Sequence, residues 1–154
     1  MKTVKLSLVL VLLAFYTLGF GQILEPVKWT ISKKSLKNDT CELIFKASIE
    51  QYWHLYSQDV AMQPPATLFT FEKNNDIELI GKVVEISKVH DIFDTNFEMK
   101  VKYFEGEAIF VQKIKVLTKN EVLLEGYFEY MSCDDTQCTP PTEEYFEFEF
   151  NKSK

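Results

Sequence analysis

Two cysteines, Cys133 and Cys138, stand five positions apart, separated by Asp134-Asp135-Thr136-Gln137 and followed by Thr139-Pro140-Pro141. Four intervening residues can turn the chain and bring two Cα atoms within disulfide range. Neither proline can donate to a β-ladder, so pairing ends there and the second cysteine is expected near the surface. Two chemistries are open to such a pair. As a staple it does little, because closing a loop of roughly six residues removes only about 2 kcal/mol of unfolded-chain entropy. A short exposed disulfide is instead open to in-line attack by a partner thiolate. The residues alone leave both readings standing. Zinc is disfavoured, since His54 and His90 are the only other soft ligands outside the cysteines and neither has paired-ligand spacing. The missing C-x-x-C argues against a thioredoxin-type centre. Asp134 and Asp135 disfavour a nearby thiolate by like-charge repulsion, so the pair is not built as a strong oxidant.

Whether such a bridge persists depends on the compartment. Residues 1–5 carry two lysines, residues 6–18 form an uncharged apolar run, and Gly19-Phe20-Gly21 offers small residues before a cut. This is the pattern of a cleavable secretory signal over residues 1–21. The run is shorter than the roughly 20 residues that a membrane-spanning helix needs. The expectation is a soluble, acidic mature domain (residues 22–154) outside the cytoplasm, where disulfides persist, with no stable membrane insertion. The 154 residues include 17 basic side chains, all lysine, against 23 acidic ones, for a net charge of −6. A chain without arginine and with this balance makes nucleic acid a poor partner.

The elements that must hold the cysteines read as strands. Period-two alternation recurs, with Cys41, Leu43, Phe45, Ala47 and Ile49 on one face and Phe146, Phe148 and Phe150 on another. Strands are expected at 27–32, 41–49, 53–57, 66–72, 77–84, 97–104, 108–117, 122–131 and 145–150. Turn formers separate them at Lys37-Asn38-Asp39, Gln63-Pro64-Pro65, Asn74-Asn75-Asp76, Glu105-Gly106 and Lys119-Asn120. About nine short strands without a helical period predict one all-β domain, an antiparallel β-sandwich of immunoglobulin-like type, with a small closed barrel as the alternative. Residues 85–96 break the alternation and read as a long loop of the kind that is often functional. Cys41 falls on an apolar face and reads as a buried free thiol.

At this point the residues resemble a family. Residues 125–150 (EGYFEYMSCDDTQCTPPTEEYFEFEF) resemble the end of the N-terminal periplasmic domain of the thiol:disulfide interchange protein DsbD, with its aromatic strand, two nearby cysteines and C-x-P-P. Trp53-His54-Leu55-Tyr56-Ser57 is similar to that domain's W-H-x-Y-S strand end. The resemblance covers nearly all of the expected mature chain. It implies an immunoglobulin-like fold, no cofactor or metal, and an electron relay. Cys138 is implied to form mixed disulfides and Cys133 to resolve them. His54 and Tyr56 are implied to neighbour the site, and residues 85–96 to form a cap loop in which Phe93, flanked by Asp91 and Asp94, shields the disulfide. The implied partners are periplasmic thioredoxin-like or disulfide isomerase proteins. The chain ends at Lys154 without a membrane segment, so the implied electron source is a separate membrane transporter. The competing reading is a non-catalytic immunoglobulin-like binding module with a structural disulfide, for which Trp29, Trp53 and the tyrosines could supply a surface.

Overall fold

Alternating side chains commit a segment to a pleat with one wet and one dry face, and the described residues form eleven strands. The computed structural model describes residues 24–60, 65–94 and 97–151; the expected signal at 1–21 and the Gln63-Pro64 break lie outside the described residues. The strands are β1 (Val27–Ser35), β2 (Thr40–Ile49), β3 (His54–Tyr56), β4 (Leu68–Phe71), β5 (Ile77–Glu85), β6 (His90–Asp94), β7 (Met99–Phe104), β8 (Glu107–Val116), β9 (Val122–Tyr130), β10 (Ser132–Cys133) and β11 (Thr142–Phe150). No helix occurs among the described residues. The strand pairs are antiparallel throughout.

One sheet runs β1-β2-β8-β5. Against it lie β11-β9-β4 and β10-β3-β7-β6, joined where β9 passes through Met131 into β10. The core between these layers draws Leu43 and Phe45 from β2, Phe110 from β8, Leu55 from β3, Phe128 from β9 and Phe146 from β11. This is an immunoglobulin-like β-sandwich, as the alternation predicts, and not the closed barrel. Phe45 is fully buried, with its ring against Phe69, Phe71, Phe128, Phe146 and Phe148. Glycine at 126 is required by packing. A Cβ there would lie 2.3 Å from the Thr70 carbonyl oxygen and 2.5 Å from the Phe146 ring.

The tight turns fall where the sequence places them. Asn38 and Asp39 take left-handed φ of 59° between β1 and β2, and Gly106 (φ 69°) joins β7 to β8. A bulge in β5 shifts its register against β8 between Ile80 and Val84, with Gly81 at φ 73°. The inward-facing Gln112 of β8, 2% exposed, donates to the Ile80 carbonyl beside the bulge (3.3 Å) and to the Lys113 carbonyl (2.6 Å). A polar side chain on an apolar face is thus satisfied by two main-chain carbonyls.

Residues 85–96 are not the loop that their composition suggests. β5 runs through Glu85, and His90–Asp94 form an edge strand paired along its whole length with β7, His90 opposite Tyr103 and Asp94 opposite Met99. The adjacent apolar pair Ile92-Phe93 breaks period-two alternation. A strand with one neighbour and two partly wet faces has no need of it. Thr95 and Asn96 lie outside the described residues.

Two substitutions separate core from surface. Phe45→Ala should lower unfolding free energy by about 3–5 kcal/mol, while Phe93→Ala, at a side chain 59% exposed, should stay within about 0.5 kcal/mol, both read from urea denaturation. Gly126→Ala should destabilise by about 1–3 kcal/mol because the nearest obstruction is backbone.

Candidate functional site

Chain direction and two main-chain hydrogen bonds set the cysteine geometry. After β10 the chain turns through Asp134–Gln137 and returns, so that Cys133 and Cys138 face each other across an isolated antiparallel bridge. Thr139 N donates to Ser132 O (2.8 Å) on one side of the pair and Asp134 N to Gln137 O (2.9 Å) on the other. The cysteines occupy the gap between these bonds, a non-hydrogen-bonded pair where facing side chains come closest. They form a disulfide with Cα atoms 4.0 Å apart. The Asp134 carboxylate accepts from Thr136 N (2.7 Å), Thr136 Oγ1 (2.8 Å) and Gln137 N (2.8 Å), an Asx turn that closes the loop and holds its carboxyl below the usual range. The buried Thr139 hydroxyl accepts from Ser132 N (3.2 Å). Pro140 and Pro141 interrupt the ladder, which resumes with Thr142 opposite Tyr130.

The two cysteines differ in exposure. Cys133 is fully buried, whereas Cys138 is exposed, as the proline flank predicts.

The remaining residues sit on the outer face of the β10-β3-β7-β6 sheet. In β3 the alternation is unbroken: Leu55 enters the main core while His54 and Tyr56 turn the other way. Cys133 pairs directly with His54, and Tyr56 with Tyr103. Cys133, Tyr56, Val101, Tyr103 and Met131 form a small second cluster, apart from the main core. β6 adds Asp94, 4% exposed, whose Oδ2 accepts the Tyr56 hydroxyl proton at 2.7 Å. His54 Nε2 lies 3.1 Å from the same Tyr56 oxygen and 3.7 Å from Asp94 Oδ2. Tyr56 has one proton and gives it to Asp94, so His54 Nε2–H donates to Tyr56, which leaves the lone pair on Nδ1.

Burial pushes the His54 pKa down, against the opposing pull of Asp94, Asp135, Glu105 and Asp134. Burial and then the Asp94 carboxylate push the Tyr56 hydroxyl far above the ordinary tyrosine range, so it stays a proton donor. The His54 ring packs against Tyr103 (4.6 Å between centroids), and His90 stacks on Tyr103 at 5.6 Å. A pocket of about 290 Å³ opens here, with His54, Asp94 and Tyr103 within it and Tyr52, Phe93 and Asp135 among its walls. Below it, Ser57 Oγ donates to both Glu85 oxygens (3.0 and 2.9 Å) and Gln58 N to one of them (2.6 Å), locking the end of β3 to β5.

Six of the seven residues singled out in the sequence come together around this pocket and the cysteine turn: Cys133, Cys138, His54, Tyr56, Phe93 and Asp94. Asp91 does not join them. It is exposed on β6 opposite Lys102, itself paired with Asp59, and does not line the pocket. Phe93 stands on the pocket wall, largely exposed. Tyr103, Thr139 and Tyr52 were missed, although alternation of Val101 with Tyr103 along β7 was a usable signal. Cys41 is the free cysteine, 4% exposed, its thiol pushed up chiefly by burial and so poorly reactive. Among the described residues no group of three or more His, Cys, Asp or Glu is placed to hold a metal ion, and no helix is long and apolar enough to cross a membrane.

Fold and site together define a thiol–disulfide module: an immunoglobulin-like sandwich that carries one redox-capable cysteine pair at its edge. The chain belongs to the family of the N-terminal domain of the thiol:disulfide interchange protein DsbD, whose family model matches residues 22–149. The reduced N-terminal domain of Neisseria meningitidis DsbD superposes with a TM-score of 0.52 at 16% identity, over 79% of this chain and 85% of that one. The N-terminal periplasmic domain of ScsB from Proteus mirabilis gives 0.60 at 10% identity, over 84% of this chain and 49% of that one. A complex between the DsbD and PilB N-terminal domains of N. meningitidis gives 0.54 at 13% identity, over 82% and 88%. At these identities the structures carry the fold. No curated protein matches the chain.

The His54 environment has a consequence for pH. Its folded pKa lies below the ordinary 6.5, so the unfolded chain binds a proton first as pH falls, and stability present above about pH 6.5 is lost below it. Melting temperature should therefore decline between about pH 7 and 5, and His54→Gln should flatten that part of the curve.

Proposed function

We propose that the domain performs thiol–disulfide interchange in the periplasm, delivered there by the signal sequence at residues 1–21. It relays reducing equivalents from a separate membrane-linked thioredoxin-like donor to periplasmic thioredoxin-like or disulfide isomerase partners. The observation that carries this reading is the unequal exposure of the two cysteines. A staple gains nothing from leaving one cysteine at the surface, whereas exchange needs one cysteine a partner can reach and one that attacks from behind.

In the reaction proposed, the Cys138 thiolate of the reduced protein attacks one sulfur of a partner disulfide. The partner's other sulfur leaves as a thiolate and takes up a proton. Cys133 then loses its proton and attacks Cys138 Sγ, expelling the partner's second sulfur. Two electrons and two protons have passed to the partner, and Cys133–Cys138 is oxidised. The donor dithiol reverses both steps. His54, held through Tyr56 and Asp94, acts as a positioning group beside Cys133, across the β10–β3 pair. Phe93 acts as a cap that slows small thiols. Asp91, at the exposed edge of β6, serves the cap only through its strand.

Two outcomes test this. In periplasmic extracts, Cys133→Ala should accumulate mixed disulfides through Cys138, and Cys133→Ala/Cys138→Ala should accumulate none; if the single variant yields no adduct, the relay fails. Phe93→Ala should raise the rate at which glutathione reduces the purified oxidised protein, on the order of tenfold, for a barrier lowered by about 1.4 kcal/mol. An unchanged rate removes the cap role.

A further inference from the structure

The mouth of the pocket beside the cysteine turn has features that sulfur exchange by itself does not require. Tyr52 is 81% exposed and held at φ 71°, a left-handed conformation that a bulky aromatic rarely adopts. It shares the pocket wall with Phe93, 59% exposed, and Ile92, 41% exposed. Single exposed apolar residues are ordinary, but three around one concavity that Asp135 of the cysteine turn also lines mark a contact surface. Strained backbone that keeps an aromatic ring in solvent points the same way.

Charge at this mouth has a single sign. Glu105 and Asp135 complete the lining and no lysine contributes to it. Asp94 is engaged by Tyr56, so the outward charge is that of Glu105 and Asp135, with Asp134 in the adjacent turn. These acids converge on the pocket: His54 and Tyr103 both feel Glu105 and Asp135. A cationic group brought alongside finds charges of opposite sign here.

We propose that this mouth is the docking face for a protein partner that presents an apolar side chain and lysine or arginine side chains beside its reactive disulfide. The proposal rests on the interchange function above and adds the chemistry of the partner. The apolar side chain enters between Tyr52 and Phe93, the basic groups meet Glu105 and Asp135, and the partner sulfur arrives at Cys138. Charge complementarity of this kind raises encounter rate and selects among partners.

The test uses two synthetic peptides, each with one intramolecular disulfide next to a phenylalanine, differing only in flanking lysines or glutamates. The reduced full chain should reduce the lysine peptide at least about tenfold faster at low salt. The preference should disappear near about 1 M salt, where the Debye length is ~3 Å. Glu105→Gln with Asp135→Asn should remove most of the preference, and Tyr52→Ala should slow both peptides. Equal rates with the unaltered chain, or a preference that survives the double substitution, overturns the docking face. If neither peptide is reduced, it is the interchange function that fails. Docking is then read by NMR on the oxidised chain with cysteine-to-serine versions of both peptides: selective shifts at Tyr52 and Phe93 with the lysine version support it, and their absence overturns it.

Discussion

The two-residue ladder between β10 and β3, with Ser132 opposite Leu55 and Cys133 opposite His54, fixes every other part of the site. It draws the end of the long β9 out of the main sandwich and onto a second sheet. It buries Cys133 beside Tyr56, Tyr103 and Met131, and it sets His54 across from the inner sulfur. Ser132 is anchored in turn by Thr139, through its backbone N–H and its hydroxyl, so the returning limb lies at a fixed distance. Cys138 then falls at the rim because Pro140 and Pro141 cannot extend the pairing beyond Thr139. Unequal exposure of the two sulfurs follows from this register and from the prolines.

Around that frame, electrostatics pull in opposite directions within a short distance. Burial keeps His54 neutral and Tyr56 protonated, while Asp94 is held in the interior by the Tyr56 hydroxyl. Outside, Glu105 and Asp135 gather negative charge at the pocket mouth, with Asp134 in the adjoining cysteine turn. The hydrogen-bonded interior holds its geometry. A negative mouth favours a partner of opposite charge. Cys41, on the buried face of β2 with its thiol pushed up by burial, has no part in this.

Much of this was legible in the residues, and the exceptions have physical causes. Strict alternation gave the core face of β2 and β11, because one-sided burial imposes a period of two. The proline pair gave the accessibility of Cys138. β6 was hidden because an edge strand with a single neighbour does not need alternation, and Ile92-Phe93 in succession reads as loop. Asp91 and Asp94 look equivalent in the sequence. One strand position decides that Asp94 turns inward to Tyr56 while Asp91 stays in solvent opposite Lys102, and a strand read as a loop assigns no faces. Thr139, read only as a spacer before the prolines, gains its role from a hydrogen bond across the hairpin that no linear pattern reveals.

The account stands on the two sulfurs being different. The most direct measurement is competitive alkylation of the reduced protein by iodoacetamide, with the modified cysteines located by mass spectrometry under native and denaturing conditions. Cys138 should be consumed well ahead of Cys133 in the native protein, with Cys41 modified last, and the difference should collapse on denaturation. Equal native rates, or Cys133 reacting first, would contradict an exposed attacking sulfur backed by a buried resolving one.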